Sequence, residues 1–117
     1  MKTGHISWES DTGKPQIKSF YAQGTLERMR GLLFRPPLVA GESMLLPHCN
    51  MIHTVGMSYP IDVVFLDSTG LILKVLAAIP RLRAAFCIRA AQVLELAAGE
   101  AYRLGWTVGL RLKLSLE

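Results

Sequence analysis

Apolar and polar residues alternate over several short stretches of the chain, and a period of two is typical of β-strands with one buried face. The alternation is clearest over residues 110–116, where four leucines face one side and polar residues face the other. Residues 5–10 and 16–23 follow the same pattern more weakly and are separated by a turn-forming Asp-Thr-Gly-Lys-Pro segment. All three stretches therefore predict strands.

The centre of the chain predicts a β-hairpin. Residues 61–67 are rich in β-branched and aromatic side chains, residues 68–70 read as a tight turn, and residues 71–79 are again apolar. Further strands are predicted at 43–47 and 92–99, whereas 48–60 and 80–91 show no clear period.

Two segments have helical features instead. Residues 25–34 place apolar side chains at helical spacing after Thr25, a good N-cap, and Pro36-Pro37 would end that helix. Residues 100–106 allow one helical turn that ends at Gly105. Together these patterns predict one mainly β domain over residues 1–117. We expect an antiparallel sandwich or small barrel, jelly-roll-like, with one or two short helices.

Composition narrows the class of protein. Half of the 117 residues are apolar, which is enough for a core at this size, and two cysteines are too few for a disulfide framework. No apolar run approaches the roughly 18 residues of a membrane span, and the first residues lack the apolar run of a signal peptide, so we expect a soluble cytoplasmic protein. The chain has a net charge of +4 and two groups of arginines. Aromatic residues are not interleaved with these arginines, and this lack of a mixed basic and aromatic run disfavours nucleic acid as a partner.

Soft metal ligands are concentrated before and within the segment Ile-His-Thr-Val-Gly-Met, residues 52–57. On a strand, Cys49, Met51 and His53 would point to the same face, because side chains alternate. Thiolate, thioether and imidazole ligands suit copper or zinc. A soft-metal site is therefore one hypothesis, although methionine and cysteine are also common core-filling residues.

Acid–base or nucleophilic chemistry is a second hypothesis. His53 and Asp62, with Cys49 or Cys87, could form a nucleophile, a base and an orienting group, as in a small thiol-dependent or hydrolytic enzyme. No nucleophile elbow or phosphate-binding glycine loop supports this. Whether the protein is an enzyme stays open at this point, as does any cofactor.

The carboxylates also have structural interpretations. Asp62 begins an apolar strand and must be paired, with loop amides, with His53 or with an arginine such as Arg28. Asp67 precedes Ser-Thr-Gly and is expected to accept main-chain amides in that turn. Glu95 should face away from its two leucine neighbours, and would be either exposed or paired with an arginine.

The chain resembles the family called domain of unknown function 192. The resemblance rests on the segments Glu-Arg-Met-Arg-Gly-Leu-Leu-Phe-Arg-Pro-Pro-Leu (27–38), residues 52–70, the pair Pro80 and Cys87, and residues 93–106. It covers roughly residues 17–116 and implies a compact, mostly β domain of unestablished activity. The chain departs from the family pattern at Gly56 and at Gly109-Leu110. The matching positions are Arg28, Gly31, Leu32, Arg35, Met44, His53, Met57, Asp62, Asp67, Cys87, Glu95 and Gly99.

The function favoured by these observations is a non-catalytic binding module for a small molecule or an extended peptide. Loop-lined mouths of sandwiches and barrels commonly hold such ligands. The predicted ligand-binding residues are Arg28, Arg35, His53, Met57 and Asp62. The alternatives are the soft-metal site and the small enzyme.

Overall fold

The computed structural model describes residues 2–22, 37–54, 59–80 and 82–116. In chain order, their elements are β1 (Lys2–Ser7), β2 (Gln16–Tyr21), β3 (Glu42–Pro47), β4 (Met51–His53), β5 (Ile61–Leu66), β6 (Ile72–Ile79), β7 (Ala84–Phe86), β8 (Gln92–Ala97), α1 (Glu100–Leu104) and β9 (Lys113–Leu116). The mainly β fold is confirmed. The helix predicted over residues 25–34 lies outside the described residues.

Seven strands form one sheet in the order β6-β5-β8-β3-β2-β1-β9. Its two edges meet, because the segment leading into β9 hydrogen-bonds to the start of β6. The amide of Ile72 donates to the carbonyl of Leu110 at 2.9 Å, and the amide of Leu112 donates to the carbonyl of Gly70 at 2.8 Å. The sheet therefore closes into a small barrel.

One strand pair differs from the predicted antiparallel arrangement. β2 and β3 run parallel, with Phe20 beside Met44, while the other named pairs among the described strands are antiparallel. A parallel pair needs a connection that crosses from one end of the sheet to the other. Alternation reports which face of a strand is buried but not the direction in which its neighbour runs, so this feature was not readable from the pattern.

The wall of the barrel separates two apolar clusters, because successive side chains of a strand point to opposite faces. The inner cluster comprises Ile6, Trp8, Ile17, Leu45, Val64, Leu66, Ile72, Leu94, Leu96, Ala101, Trp106 and Leu112. The outer cluster comprises Ala22, Leu38, Met44, Leu46, Ile52, Ile61, Val63, Phe65, Ile79, Ala90 and Val93. The small sheet formed by β4 and β7 packs on the outer cluster through Ile52. β5 is buried on both faces for this reason.

The short helix α1 follows β8 and packs against one end of the barrel. It lies between Gly99 and Gly105, both in the left-handed conformation with φ of 90° and 73°. Ala101 contributes to the inner cluster, and the amide of Trp106 donates to the carbonyl of Ala101 at 2.9 Å. The helical turn predicted to end at Gly105 is confirmed. Among the described residues, no helix is long and apolar enough to cross a membrane.

Gly70 lies where the barrel closes, and a side chain does not fit there. Its φ is +89°, and a Cβ atom would lie 2.1 Å from the carbonyl oxygen of Leu112. We expect Gly70→Ala to lower the free energy of unfolding by about 2 kcal/mol more than Gly41→Ala. Gly41 has a φ of +82° but open space around it, so its variant reports the backbone strain alone. Equal losses for the two variants in urea unfolding would contradict the close approach at the closure.

Candidate functional site

Asp62 is fully buried near the start of β5, and three main-chain amides hold its carboxylate. Oδ1 accepts hydrogen bonds from the amides of Ala78 at 2.8 Å and Gly99 at 3.1 Å, and Oδ2 accepts one from the amide of Ala101 at 2.9 Å. The sequence left loop amides, His53 and an arginine open as partners of Asp62. The partners observed are main-chain amides of a strand bulge, a loop and the helix α1. Both oxygens of this buried side chain are therefore hydrogen-bonded, as buried polar groups in proteins usually are.

The amide of Ala78 is available to Asp62 because β6 carries a bulge at this point. The pairing of β5 with β6 shifts register between Ile61 and Val63. Ala78 has a φ of 51°, which is uncommon for a residue other than glycine. A bulge leaves one residue out of the strand ladder. Asp62 thus joins the bulge of β6 to the first turn of α1.

Asp62 and His53 lie on opposite faces of the barrel wall. In β5, Val64 belongs to the inner cluster and Val63 to the outer cluster, so alternation places Asp62 on the inner side. His53 is exposed on the small sheet that packs over the outer cluster. The structure therefore does not bring together these two residues of the predicted pocket.

The small sheet also separates the predicted soft-metal ligands. Its strand begins only at Met51, after His48 with a φ of 53°. Met51 and His53 are exposed on one face, whereas Cys49 packs against the outer cluster and its thiol donates to the carbonyl of Met51 at 3.0 Å. The expectation that Cys49 shares a strand face with the other two was wrong. Within the described ranges, no three His, Cys, Asp or Glu side chains gather as a metal site.

The two cysteines are free thiols, both partly buried against the outer cluster. The amide of Cys87 donates to the carbonyl of Asn50 at 2.9 Å, which ties the end of β7 to the loop beside Cys49. An enzyme that used either thiol with both His53 and Asp62 would need all three groups on one face. The barrel wall keeps Asp62 on the inner side.

Asp67 takes the turn position that the sequence predicts. Its Oδ1 accepts hydrogen bonds from the Thr69 hydroxyl at 2.7 Å and from the amides of Thr69 at 2.8 Å and Leu71 at 3.0 Å. These bonds, the Thr69 hydroxyl first, hold the pKa of Asp67 below its usual range. This carboxylate is therefore committed to the turn between β5 and β6.

The least expected polar group is Glu95, in the middle of β8. Val93 lies in the outer cluster, so alternation turns Glu95 to the same outer face, where its neighbours in the adjacent strands are Met44 and Val63. Glu95 is only 6% exposed, and desolvation raises its pKa to about 7. Nothing in the described part of the chain hydrogen-bonds this carboxyl, so burial is not offset there.

The hydroxyl of Tyr59 accompanies Glu95 on the outer face. Tyr59 packs against the outer cluster, and its buried hydroxyl oxygen has no hydrogen-bond partner among the described residues. Desolvation raises the pKa of Tyr59, and the charge of Glu95 raises it further. The main chain of Leu38 lowers this pKa, but it does not lie in hydrogen-bonding geometry to the Tyr59 hydroxyl. The alternation in β8 predicted the direction of Glu95, but nothing in the sequence indicated that this face would be covered.

Three residues of the predicted pocket, Arg28, Arg35 and Met57, lie outside the described residues. Met57 precedes Tyr59 by two positions in the sequence. Their place in a site stays a prediction from the sequence.

The fold and the buried carboxyl define the structural class of this protein. It is a small closed β-barrel that packs against a short helix at one end and buries the carboxyl of Glu95 among the apolar residues of its outer face. The chain belongs to the family known as domain of unknown function 192, described as "Uncharacterized ACR", whose model matches residues 7–114. No curated protein matches the chain.

Two solved structures share the fold. One is a protein of Sinorhizobium meliloti 1021 described as a "putative transcription regulator". It is 23% identical, with a TM-score of 0.85 over 96% of this chain and 93% of that one. The other is a protein of unknown function from Novosphingobium aromaticivorans DSM 12444. It is 22% identical, with a TM-score of 0.80 over 93% of this chain and 83% of that one. At these identities the likeness establishes the fold alone.

Proposed function

We propose that this protein is a non-catalytic binding module that holds a small molecule or an extended peptide at the outer face of the barrel, beside Glu95 and Tyr59. The observation that carries the proposal is the buried Glu95 carboxyl, whose burial no described residue offsets. An uncompensated buried polar group costs stability, and a ligand that donates a hydrogen bond to it recovers part of that cost.

The arrangement gives the ligand a defined chemistry. Protonated Glu95 can donate or accept a hydrogen bond, and the Tyr59 hydroxyl can do the same. Met44 and Val63 flank Glu95 in the adjacent strands, and Tyr59 packs against the same outer cluster. A ligand with an amide or hydroxyl group on an apolar body matches this surface, and both the small molecule and the peptide satisfy that description. His53 stays in the proposal as a rim residue and Met57 as a candidate from the sequence alone, whereas we assign Asp62 to holding the barrel and α1 together.

Tyr59→Phe is expected to weaken ligand binding by about tenfold without lowering the stability of the free protein. The reason is that the hydroxyl has no described partner to lose, while a bound ligand would supply one. Native mass spectrometry of untagged protein, with parallel elemental analysis, would show the retained ligand by its mass. Tyr102→Phe is the matched control, because Tyr102 is 92% exposed.

The outcomes separate the proposal from its alternatives. An organic adduct kept by the wild type and Tyr102→Phe but lost from Tyr59→Phe and Glu95→Gln supports the module. An adduct retained equally by all four proteins contradicts it, as does a Tyr59→Phe variant that is less stable in the absence of ligand. One metal ion per chain would favour the copper or zinc hypothesis, and a cysteine that alkylates fast at neutral pH would favour the thiol enzyme.

A further inference from the structure

A concave surface lies beside the closure of the barrel, where Arg111 pairs with Leu71. It is a groove of about 760 Å³ between the end of β1, the turn at residues 68–70 and the segment 110–114. Gln92, the first residue of β8, also lines it. This volume lies in the range of small-molecule pockets.

The groove has a rigid apolar floor. Trp8 and Leu112 line it and are 6% and 1% exposed. The ring of Trp8 meets that of Trp106 edge to face, with centroids 5.2 Å apart, which fixes its position. Leu110 and Leu114 border the same floor. An apolar ligand body would therefore find an ordered surface.

The rim of the groove is basic. Lys14, Arg111 and Lys113 line it against one carboxylate, Glu9, and all four side chains are exposed. None of the three cations forms an ion pair with a described carboxylate. The carboxylate of nearby Asp67 is hydrogen-bonded within its own turn and interacts with Arg111 only through its charge. Cations gathered around a concave surface create a positive potential that attracts anions.

We propose that this groove binds a small organic anion, with its phosphate or carboxylate group held by Arg111 and Lys113 and its apolar body placed on Trp8. Arginine offers a planar set of donors that suits either group. Lys14 reaches the groove from the turn between β1 and β2 and adds a third positive charge. Apart from Gln92, the groove is lined by elements other than the strand of Glu95, and the proposal does not depend on the proposed function.

Titration of the intact protein with defined probes tests the proposal, because ligand at Trp8 would change tryptophan fluorescence. Phenyl phosphate and benzoate are the anionic probes, which also distinguish phosphate from carboxylate, and benzyl alcohol is the neutral one. We expect at least one anion to bind, and the Arg111→Gln, Lys113→Gln double variant to weaken it by about ten- to a hundredfold. Lys14→Gln should weaken it less.

Matched controls keep the interpretation specific. Arg83→Gln and Lys2→Gln remove exposed cations that do not line the groove and should leave affinity unchanged. Benzyl alcohol binding as tightly as the anions would overturn the proposal, and so would equal losses in the control variants or no response to any probe. Tighter binding of a short oligonucleotide with a steep salt dependence would replace it with nucleic-acid binding.

Discussion

Asp62→Ala is expected to lower the free energy of unfolding by about 4 kcal/mol. The side chain of Asp62 accepts hydrogen bonds from the amides of Ala78, Gly99 and Ala101. Its removal leaves the amide of Ala101 without a partner at a buried position and the other two at partly buried ones. Urea unfolding followed by tryptophan fluorescence measures the loss. The effect should be large because one side chain joins the bulge of β6 to the start of α1.

Two further variants make this result specific. Asp62→Asn keeps the size of the side chain but replaces one acceptor oxygen with a donor group, so it should recover only part of the stability. Asp11→Ala removes an aspartate from the exposed turn between β1 and β2 and should change the free energy of unfolding little. A loss in Asp62→Ala no greater than in Asp11→Ala would contradict the bridging role.

The free energy of unfolding is expected to fall as pH rises from about 4.5 to about 7, and Glu95→Gln is expected to remove that fall. Desolvation raises the pKa of Glu95 from 4.5 to about 7 in the folded protein. In this window the folded state keeps the proton that the unfolded chain releases, so rising pH favours unfolding. At about 1.4 kcal/mol per pH unit, the loss amounts to roughly 3 kcal/mol above pH 7.

The comparison is made by measuring urea unfolding across pH for the wild type, Glu95→Gln and the exposed control Glu9→Gln. The difference between the wild type and Glu95→Gln isolates this carboxyl from the histidines, which all three proteins retain. Curves that stay parallel from pH 5 to 8 would show that Glu95 is ionised in both states. Glu9→Gln should follow the wild type, because Glu9 is exposed.

The alternation of side chains was a reliable guide to single strands and a poor one to their partners. It predicted β5 and β8, which are buried along most of their length, and also β9, where only Leu114 is partly buried. It could not resolve β4 and β7, which have three residues each and are too short to show a period. The parallel pairing of β2 with β3 depends on the path of the chain between them.

The candidate site shows the same difference between local features, which the sequence predicts, and contacts with distant residues, which it does not. The sequence predicted that Asp62 has a partner, because a carboxyl group in an apolar strand must be paired or hydrogen-bonded. It did not identify the partners, because they lie 16, 37 and 39 residues further along the chain. Glu95 was expected to be exposed or paired with an arginine. The predicted direction of its side chain was correct. Its burial depends on other parts of the chain that cover the outer face, and no local sequence pattern reveals them.

The pairing of β1 with β9 sets the order in which this protein can fold. Gly4 lies beside Leu116, so roughly 110 residues separate two strands that share a ladder. The ladder between β1 and β9 therefore forms only after residues 4–116 have been synthesised, and β1 lacks this neighbour until then. Such distant contacts make folding slow for a chain of this size. We expect refolding in the laboratory to take milliseconds to seconds, with the sheet next to β9 ordered last.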